Sequence, residues 1–220
     1  MTHRITLHRE IDKLKNKFMI LGSMVEDRLQ KTCLAMENKD PELLREIIST
    51  DWEIDELEIE VEEECLKILA LHQPVASDLR LIVSIIKINN ELERIADIGV
   101  NIAKRIEVIC KETKLSVIIE YQEMFTKVLQ MFKMSLDALV TENSDLARKI
   151  FLKDEEINQL RNLAYQYVIK ELDAGPGHAE CLVNFYLVAR HLERIGDRLK
   201  NIAEEVIYLV EGTIVRGENN

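Results

Sequence analysis

The sequence predicts an all-α protein of two tandem, pseudo-twofold-related three-helix bundles, with six long antiparallel helices. Three observations predict this fold class. Apolar residues recur at three- and four-residue steps along most of the chain, which is the spacing of amphipathic helices. No segment alternates apolar and polar residues between turns as a strand does. A twelve-residue segment also occurs twice, at positions that differ by 100.

Three helices are predicted in the first half. The apolar stripe of residues 6–37 indicates one long amphipathic helix. Asp40 is a good N-cap for a second helix over residues 41–71, since a proline stands at its first position. Another proline opens a third helix over residues 74–110. Short connections between these helices favour antiparallel neighbours.

The second half repeats this plan. Helices are predicted over residues 116–141, 145–172 and 179–210, with a turn and cap at residues 142–145. The Gly- and Pro-rich segment at residues 173–178 is the strongest loop signal in the chain.

The halves match best in their third helices. Residues 92–103 and 192–203 are identical at eight of twelve positions. Residues 51–57 and 154–160 of the second helices match more weakly. The sequence therefore predicts a duplication.

The polar stretch at residues 111–114 predicts the boundary between the halves. The two predicted repeats are residues 1–112 and 113–220.

Composition narrows the function classes. The formal net charge is −11 and the pI is near 5.1, which disfavours nucleic-acid binding and favours hard cations. Four scattered cysteines form no CxxC pair, and they are expected to be small core residues. No apolar run reaches the roughly 20 residues that span a bilayer. We therefore expect a soluble cytoplasmic protein with no membrane span.

Acid pairs four residues apart recur in the repeat, so both side chains of a pair project from one helix face. These pairs are Asp51 with Asp55, Glu93 with Asp97, and Glu193 with Asp197, while Asn101 and Asn201 add an amide oxygen one turn further on. Their helical angles place the first-half acids beside or outside the apolar stripes. Like charges repel at this spacing, so a basic side chain from a neighbouring helix or a metal cation should compensate them.

Other interpretations of these acids stay open. Forty acids in 220 residues give about seven such pairs by chance, so a single pair is compatible with a solvated face. Nine acids lie in residues 51–64, and those after Asp55 are interpreted as an exposed face. A metal-free helical scaffold is one alternative, and a carboxylate-bridged di-metal enzyme is another. The enzyme is disfavoured because the chain has no Glu-x-x-His motif, no histidine pair for zinc and no nucleotide-binding loop.

The motifs resemble those of a known family. The segment 73–81, leading into 92–97, resembles the first-half signature of PhoU proteins. The segment 189–197, with Asn201-Ile202 and the closing Ile207-Tyr208, resembles their second-half signature. The resemblance extends over essentially the whole chain and implies two three-helix bundles side by side.

The resemblance also implies a set of metal ligands. The family motif is an acid, three residues and a second acid, on two helices of each half. Its implied ligands are Asp51, Asp55, Glu93, Asp97, Asp154, Glu193 and Asp197, with Asn101, Asn158 and Asn201 as possible additional ligands. Asn158 stands where the fourth pair should have its second acid, and an amide is a weaker ligand for a hard cation. A smaller or weaker second-half site is therefore expected.

The function implied by the resemblance is regulatory and not enzymatic. PhoU-like proteins are cytoplasmic negative regulators of phosphate-starvation signalling at the inner face of the membrane. Their partners are the ATPase of the phosphate ABC transporter and a sensor histidine kinase, and homodimers are common. Iron or zinc, in clusters of one or more divalent or trivalent ions, are the favoured metals, with manganese or magnesium as alternatives.

Overall fold

The computed structural model describes residues 2–111, 121–175 and 178–215. These residues form seven helices and no strand, so the predicted fold class is confirmed. The helices are α1 (Thr2–Asn38), α2 (Pro41–Ser49), α3 (Asp51–His72), α4 (Ala76–Cys110), α5 (Tyr121–Val140), α6 (Ser144–Ala174) and α7 (Ala179–Glu211). The predicted boundary at residue 112 and the predicted helix start at residue 116 lie outside the described residues.

The predicted N-caps are present in both halves. The Asp40 carboxylate accepts hydrogen bonds from the first backbone N–H groups of α2, at 2.9 and 3.2 Å. Asn143 caps α6 in the same way, accepting the backbone N–H of Leu146 at 2.9 Å. Each cap satisfies an N–H group that has no partner within the helix.

The prediction of one continuous helix over residues 41–71 is wrong at Thr50. This residue leaves helical geometry, with φ −99° and ψ 12°, and separates α2 from α3. Its hydroxyl donates to the Glu46 carbonyl at 2.9 Å, while its own carbonyl accepts from Arg28 of α1 at 2.8 Å. Side-chain hydrogen bonds of this kind compete with the helical ladder, and apolar periodicity does not report them.

Two bundles share one core. In the first, α1 packs against α2, α3 and α4, and in the second α5, α6 and α7 pack together. The buried apolar residues that the structure describes form a single continuous core through both. Cys65 and Cys181 are buried within it and all four cysteines are free, as expected for small core residues.

Helices α4 and α7 pack along each other and join the two bundles. They run antiparallel, because Lys87 near the start of α4 pairs with Glu205 near the end of α7 at 2.9 Å. At the other end, Arg105 of α4 reaches Asn184 of α7 at 3.4 Å. We call this contact the α4–α7 seam. It brings the two copies of the repeated segment to the middle of the molecule.

Among the described residues, no helix is both long enough and apolar enough to cross a membrane.

Candidate metal centre

The first acid cluster consists of Asp51 and Asp55 on α3 with Glu93 and Asp97 on α4. Partial desolvation, followed by the negative charges of Asp51 and Asp97, raises the pKa of Asp55. The charge of Asp97 on α4 thus acts on Asp55 on α3, so acids of the two helices are close enough to interact.

Glu93 is the most perturbed carboxyl group of this cluster. Its half-buried position, together with the charges of Asp97, Asp55 and Glu58, raises its pKa to about 7. A carboxyl group surrounded by other carboxylates keeps its proton to a higher pH than an isolated one, because ionisation adds to the repulsion. The cluster thus carries more negative charge than the protein neutralises.

One basic side chain forms an ion pair with the first acid cluster in the part of the chain that the structure describes. Arg28 of α1, only 5% exposed, pairs with Asp51 through one guanidinium nitrogen. Its other terminal nitrogen donates to the Thr50 carbonyl at 2.8 Å. A single guanidinium leaves Asp55, Glu93 and Asp97 without an ion-pair partner among these residues.

The second acid cluster consists of Asp154 and Asn158 on α6 with Glu193 and Asp197 on α7. Here Lys200 bridges both helices, with its Nζ 2.7 Å from Asp154 Oδ2 and 2.9 Å from Asp197 Oδ1. Burial opposes the charge on Lys200, but the hydrogen bonds that it donates to the two carboxylates outweigh burial and raise its pKa. The ammonium group is therefore charged at neutral pH.

Two arginines neutralise the remaining buried acid of this cluster. Arg190 Nη1 lies 2.6 Å from both carboxylate oxygens of Glu193. Arg161 of α6 lies 3.7 Å from one of them. Glu193 is 6% exposed and Asp154 is 4% exposed, so these acids are buried. These two second-half acids therefore lie deeper than the first-half acids, which were expected to lie beside the core or outside it.

The amide residues predicted as additional ligands make other contacts. Asn158 Nδ2 donates to Asp154 Oδ2 at 3.2 Å, and Asn201 Nδ2 donates to Glu91 Oε1 at 3.2 Å. Both therefore direct an amide nitrogen, which cannot ligate a metal, towards the nearby carboxylate. Asn101 is exposed on α4.

The two clusters fit a metal unequally. Within residues 2–111, 121–175 and 178–215, no three His, Cys, Asp or Glu side chains form a ready-made ligand group. The first acid cluster nevertheless has the donor chemistry and the uncompensated charge that suit a hard cation. The second acid cluster does not fit, since three side-chain cations already occupy the space around its carboxylates.

Comparison with known proteins identifies the family. The family model described as the PhoU domain matches this chain twice, over residues 18–106 and 121–206. The chain belongs to the PhoU family. The two matches coincide with the two bundles that meet at the α4–α7 seam.

Individual PhoU proteins are similar to this chain along nearly their whole length. "Phosphate-specific transport system accessory protein PhoU homolog 1" of Thermotoga maritima is 32% identical over 213 residues, which cover 96% of this chain and 92% of that protein. The crystal structure of PhoU from Pseudomonas aeruginosa superposes with a TM-score of 0.89 at 33% identity, covering 94% of this chain and 99% of the other. That of the phosphate transport system regulatory protein PhoU from Streptococcus pneumoniae gives 0.87 at 30% identity, covering 97% and 99%.

Three residues of this PhoU-family protein set the electrostatics of the two acid clusters but were not predicted from the sequence. Arg28 lies on α1, which carries no acid motif, and Lys200 lies three residues beyond one. Glu58 belongs to the acids interpreted as an exposed face, but it is half-buried and its Oε1 accepts from Asn89 at 2.8 Å. The repeat could have revealed Lys200, since the equivalent residue in the first copy is Val100.

An acidic cavity of about 430 Å³ adjoins the first acid cluster between α3, α4 and α7. Its acidic lining residues are Glu58, Glu62, Glu91, Glu204 and Glu205. Lys87 pairs with Glu205, and Arg198 of α7 lies 3.4 Å from Glu91. The negative potential of the first cluster thus extends along the α4–α7 seam.

Proposed function

We propose that this PhoU-family protein is a metal-binding regulator of phosphate uptake and of phosphate-starvation signalling. The observation that carries the regulatory part is the family match through both bundles. Relatives from Thermotoga maritima and Escherichia coli are named as accessory proteins of phosphate-specific transport, and both are at least 30% identical. The protein acts in the cytoplasm as a homodimer, and it has no catalytic activity of its own.

Its partners in this proposal are the ATPase of a phosphate ABC transporter and a sensor histidine kinase at the inner face of the membrane. When phosphate is ample, the protein holds the starvation response down. Amphipathic helices suit such docking because they present long faces to grooves of a partner.

The metal-binding part of the proposal rests on the first acid cluster. Four carboxylates with one arginine offer the oxygen ligands that a divalent or trivalent cation takes. The preference for iron or zinc over manganese and magnesium rests on the family resemblance alone. A bound cation would neutralise Asp55, Glu93 and Asp97 and hold α3 against α4. The ion-paired second acid cluster is not part of this site.

A genetic experiment tests the regulatory role. The gene is deleted in its own host, and a reporter driven by a phosphate-starvation promoter is measured in phosphate-rich medium. Deletion should switch the reporter on, and a copy of the gene should switch it off again. A reporter that stays off after deletion would contradict negative regulation.

Metal analysis tests the binding role separately. Elemental analysis of protein purified without chelator is compared with that of the double variant Glu93→Gln, Asp97→Asn. The unmodified protein should carry metal and the double variant should not, because the amide side chains have lost the negative charge. An unmodified protein that stays metal-free after loading with iron or zinc would exclude this role.

Docking is tested by co-purification. The tagged protein should retain the transporter ATPase and the kinase of the same organism when each is added in turn. Light scattering should give twice the 25.5 kDa chain mass for the free protein. Failure to retain either partner would contradict the docking proposal without affecting the metal result.

A further inference from the structure

The second acid cluster contains a cation that belongs to the protein itself. Lys200 Nζ lies between the helices, within 2.9 Å of a carboxylate oxygen from α6 and of another from α7. A metal that bridged the same two helices through Asp154 Oδ2 and Asp197 Oδ1 would occupy the position of this ammonium group. The ammonium group and a metal therefore compete for one position.

Gly196 allows Asp154 to approach α7 closely enough for this contact. A Cβ atom at position 196 would lie 2.7 Å from Asp154 Oδ1, a distance that real Cβ contacts do not reach. This oxygen has no hydrogen-bond partner and lies against the backbone of α7. Without a Cβ at residue 196, the carboxylate reaches Lys200 with its other oxygen.

The first repeat lacks each of these features at the matching positions. Ala96 stands in place of Gly196, and the buried Val100 stands in place of Lys200. On the second helix of the repeat, Glu58 matches Arg161. At these two positions, the second copy thus has the positive charges of Lys200 and Arg161, where the first copy has the neutral Val100 and the negative Glu58.

We propose that Lys200 replaces the metal in the second repeat, so that only the first repeat of this protein is open to metal. The ammonium group, assisted by Arg161 and Arg190, neutralises the second acid cluster permanently, and it joins α6 to α7 whether or not metal is available. This inference rests on the proposed metal-binding function for the difference between the two repeats. The closure of the second site can be tested independently of that function.

The test uses the full-length chain with its first acid cluster disabled by Glu93→Gln and Asp97→Asn. Lys200→Val is added to this parent, which reproduces the residue of the first repeat. The matched control is Lys149→Val, at an exposed lysine of the same fold. Each protein is equilibrated with Fe²⁺, Zn²⁺ or Mn²⁺ alone, and bound metal and the midpoint of thermal unfolding are measured with and without chelator.

The parent and the Lys149→Val control should bind no metal, and their midpoints should not depend on it. Lys200→Val should gain about one metal ion per chain, since Asp154 and Asp197 lose their shared ammonium and can ligate a cation. In chelator, the thermal unfolding midpoint of Lys200→Val should be lower than that of the parent, and it should recover when metal is added.

Two results would overturn the inference. One is a parent that binds metal and loses it on further substitution with Glu193→Gln and Asp197→Asn, because the second site would then be open with Lys200 present. The other is a Lys200→Val variant that binds none of the three metals, because Lys200 would then not be what closes the second site. Absence of metal from the unmodified chain would instead count against the proposed metal function alone.

Discussion

The two repeats form similar helical bundles, but they balance the negative charge of their acid motifs differently. In the first, the carboxylates of α3 and α4 face one another with one arginine, and Glu93 has a pKa of about 7. In the second, Asp154 and Glu193 are buried and are matched by Lys200 and Arg190, while Asp197 is exposed like Asp97. A duplicated motif therefore does not establish a duplicated site, because residues outside the motif set the charge balance.

The two repeats also show that a carboxylate is buried where a partner charge neutralises it. Burying a carboxylate costs free energy unless a partner charge and hydrogen bonds accompany it. Asp154 can be 4% exposed because Lys200 and Asn158 bond to it. The first cluster lacks such partners for Asp55 and Asp97, and these two acids are exposed.

The largest expected effect comes from removing Lys200. The change Lys200→Met should lower the free energy of unfolding by about 3 kcal/mol, since it leaves a buried carboxylate unpaired. Val100→Met, at the matching position of the first repeat, should cost about 1–2 kcal/mol, because it overpacks a buried position without unpairing a charge. Urea unfolding in chelator, followed by circular dichroism, measures both. Equal losses would remove the proposed difference between the repeats.

Removing Arg28 should have the next largest effect. Arg28→Met deletes the guanidinium that pairs with Asp51 and bonds to the Thr50 carbonyl, while its apolar stem is retained. We expect a loss of about 2 kcal/mol, less than for Lys200 because the side chain of Asp51 is 28% exposed and water can solvate it. The same unfolding experiment checks the order of the two losses.

Exchanging the small residues of the repeated motif should give a smaller effect. Gly196→Ala would normally stabilise a helix by about 1 kcal/mol. Here the new Cβ displaces Asp154, so we expect a net loss of about 1 kcal/mol. Ala96→Gly in the first repeat should also lose about 1 kcal/mol, from helix propensity alone. Stabilisation by Gly196→Ala would contradict the close approach of Asp154 to α7.

The smallest expected effect concerns pH. The pKa of Glu93 is raised from 4.5 to about 7 in the folded protein, so the folded state binds the proton more tightly than the unfolded state. The contribution of this group is full below pH 4.5 and is lost as pH rises through about 7. In chelator, Glu93→Gln should flatten the fall in stability over this window, as urea midpoints at successive pH values would report. An unchanged slope would argue against a perturbed Glu93.

Much of the fold could be predicted from the sequence because long amphipathic helices repeat their signal at every turn. Asp40 and Asn143 are caps by residue type and position, and each caps its helix as expected. The break at Thr50 could not be predicted, since it depends on a hydrogen bond from Arg28, which is 22 residues away.

The candidate site was predictable only in part. The pairing of Asp55 with Glu93 and Asp97 across two helices follows from the repeat. The internal neutralisation of the second cluster depends on the rotation of α6 and α7 about their axes, which decides whether Lys200 and Arg161 point towards the acids. Asn158 predicts a weaker second site, whereas the proposal that this site is closed rests on cations that belong to no metal motif.

The antiparallel α4–α7 seam has a mechanical consequence. Lys87 and Glu91 of α4, a few residues before Glu93, are tied to Glu205, Arg198 and Asn201 of α7. If the first acid cluster binds a cation as proposed, any rotation of α4 around that cation would act on these ties first. The seam would then transmit the movement directly from the first repeat to α7 of the second.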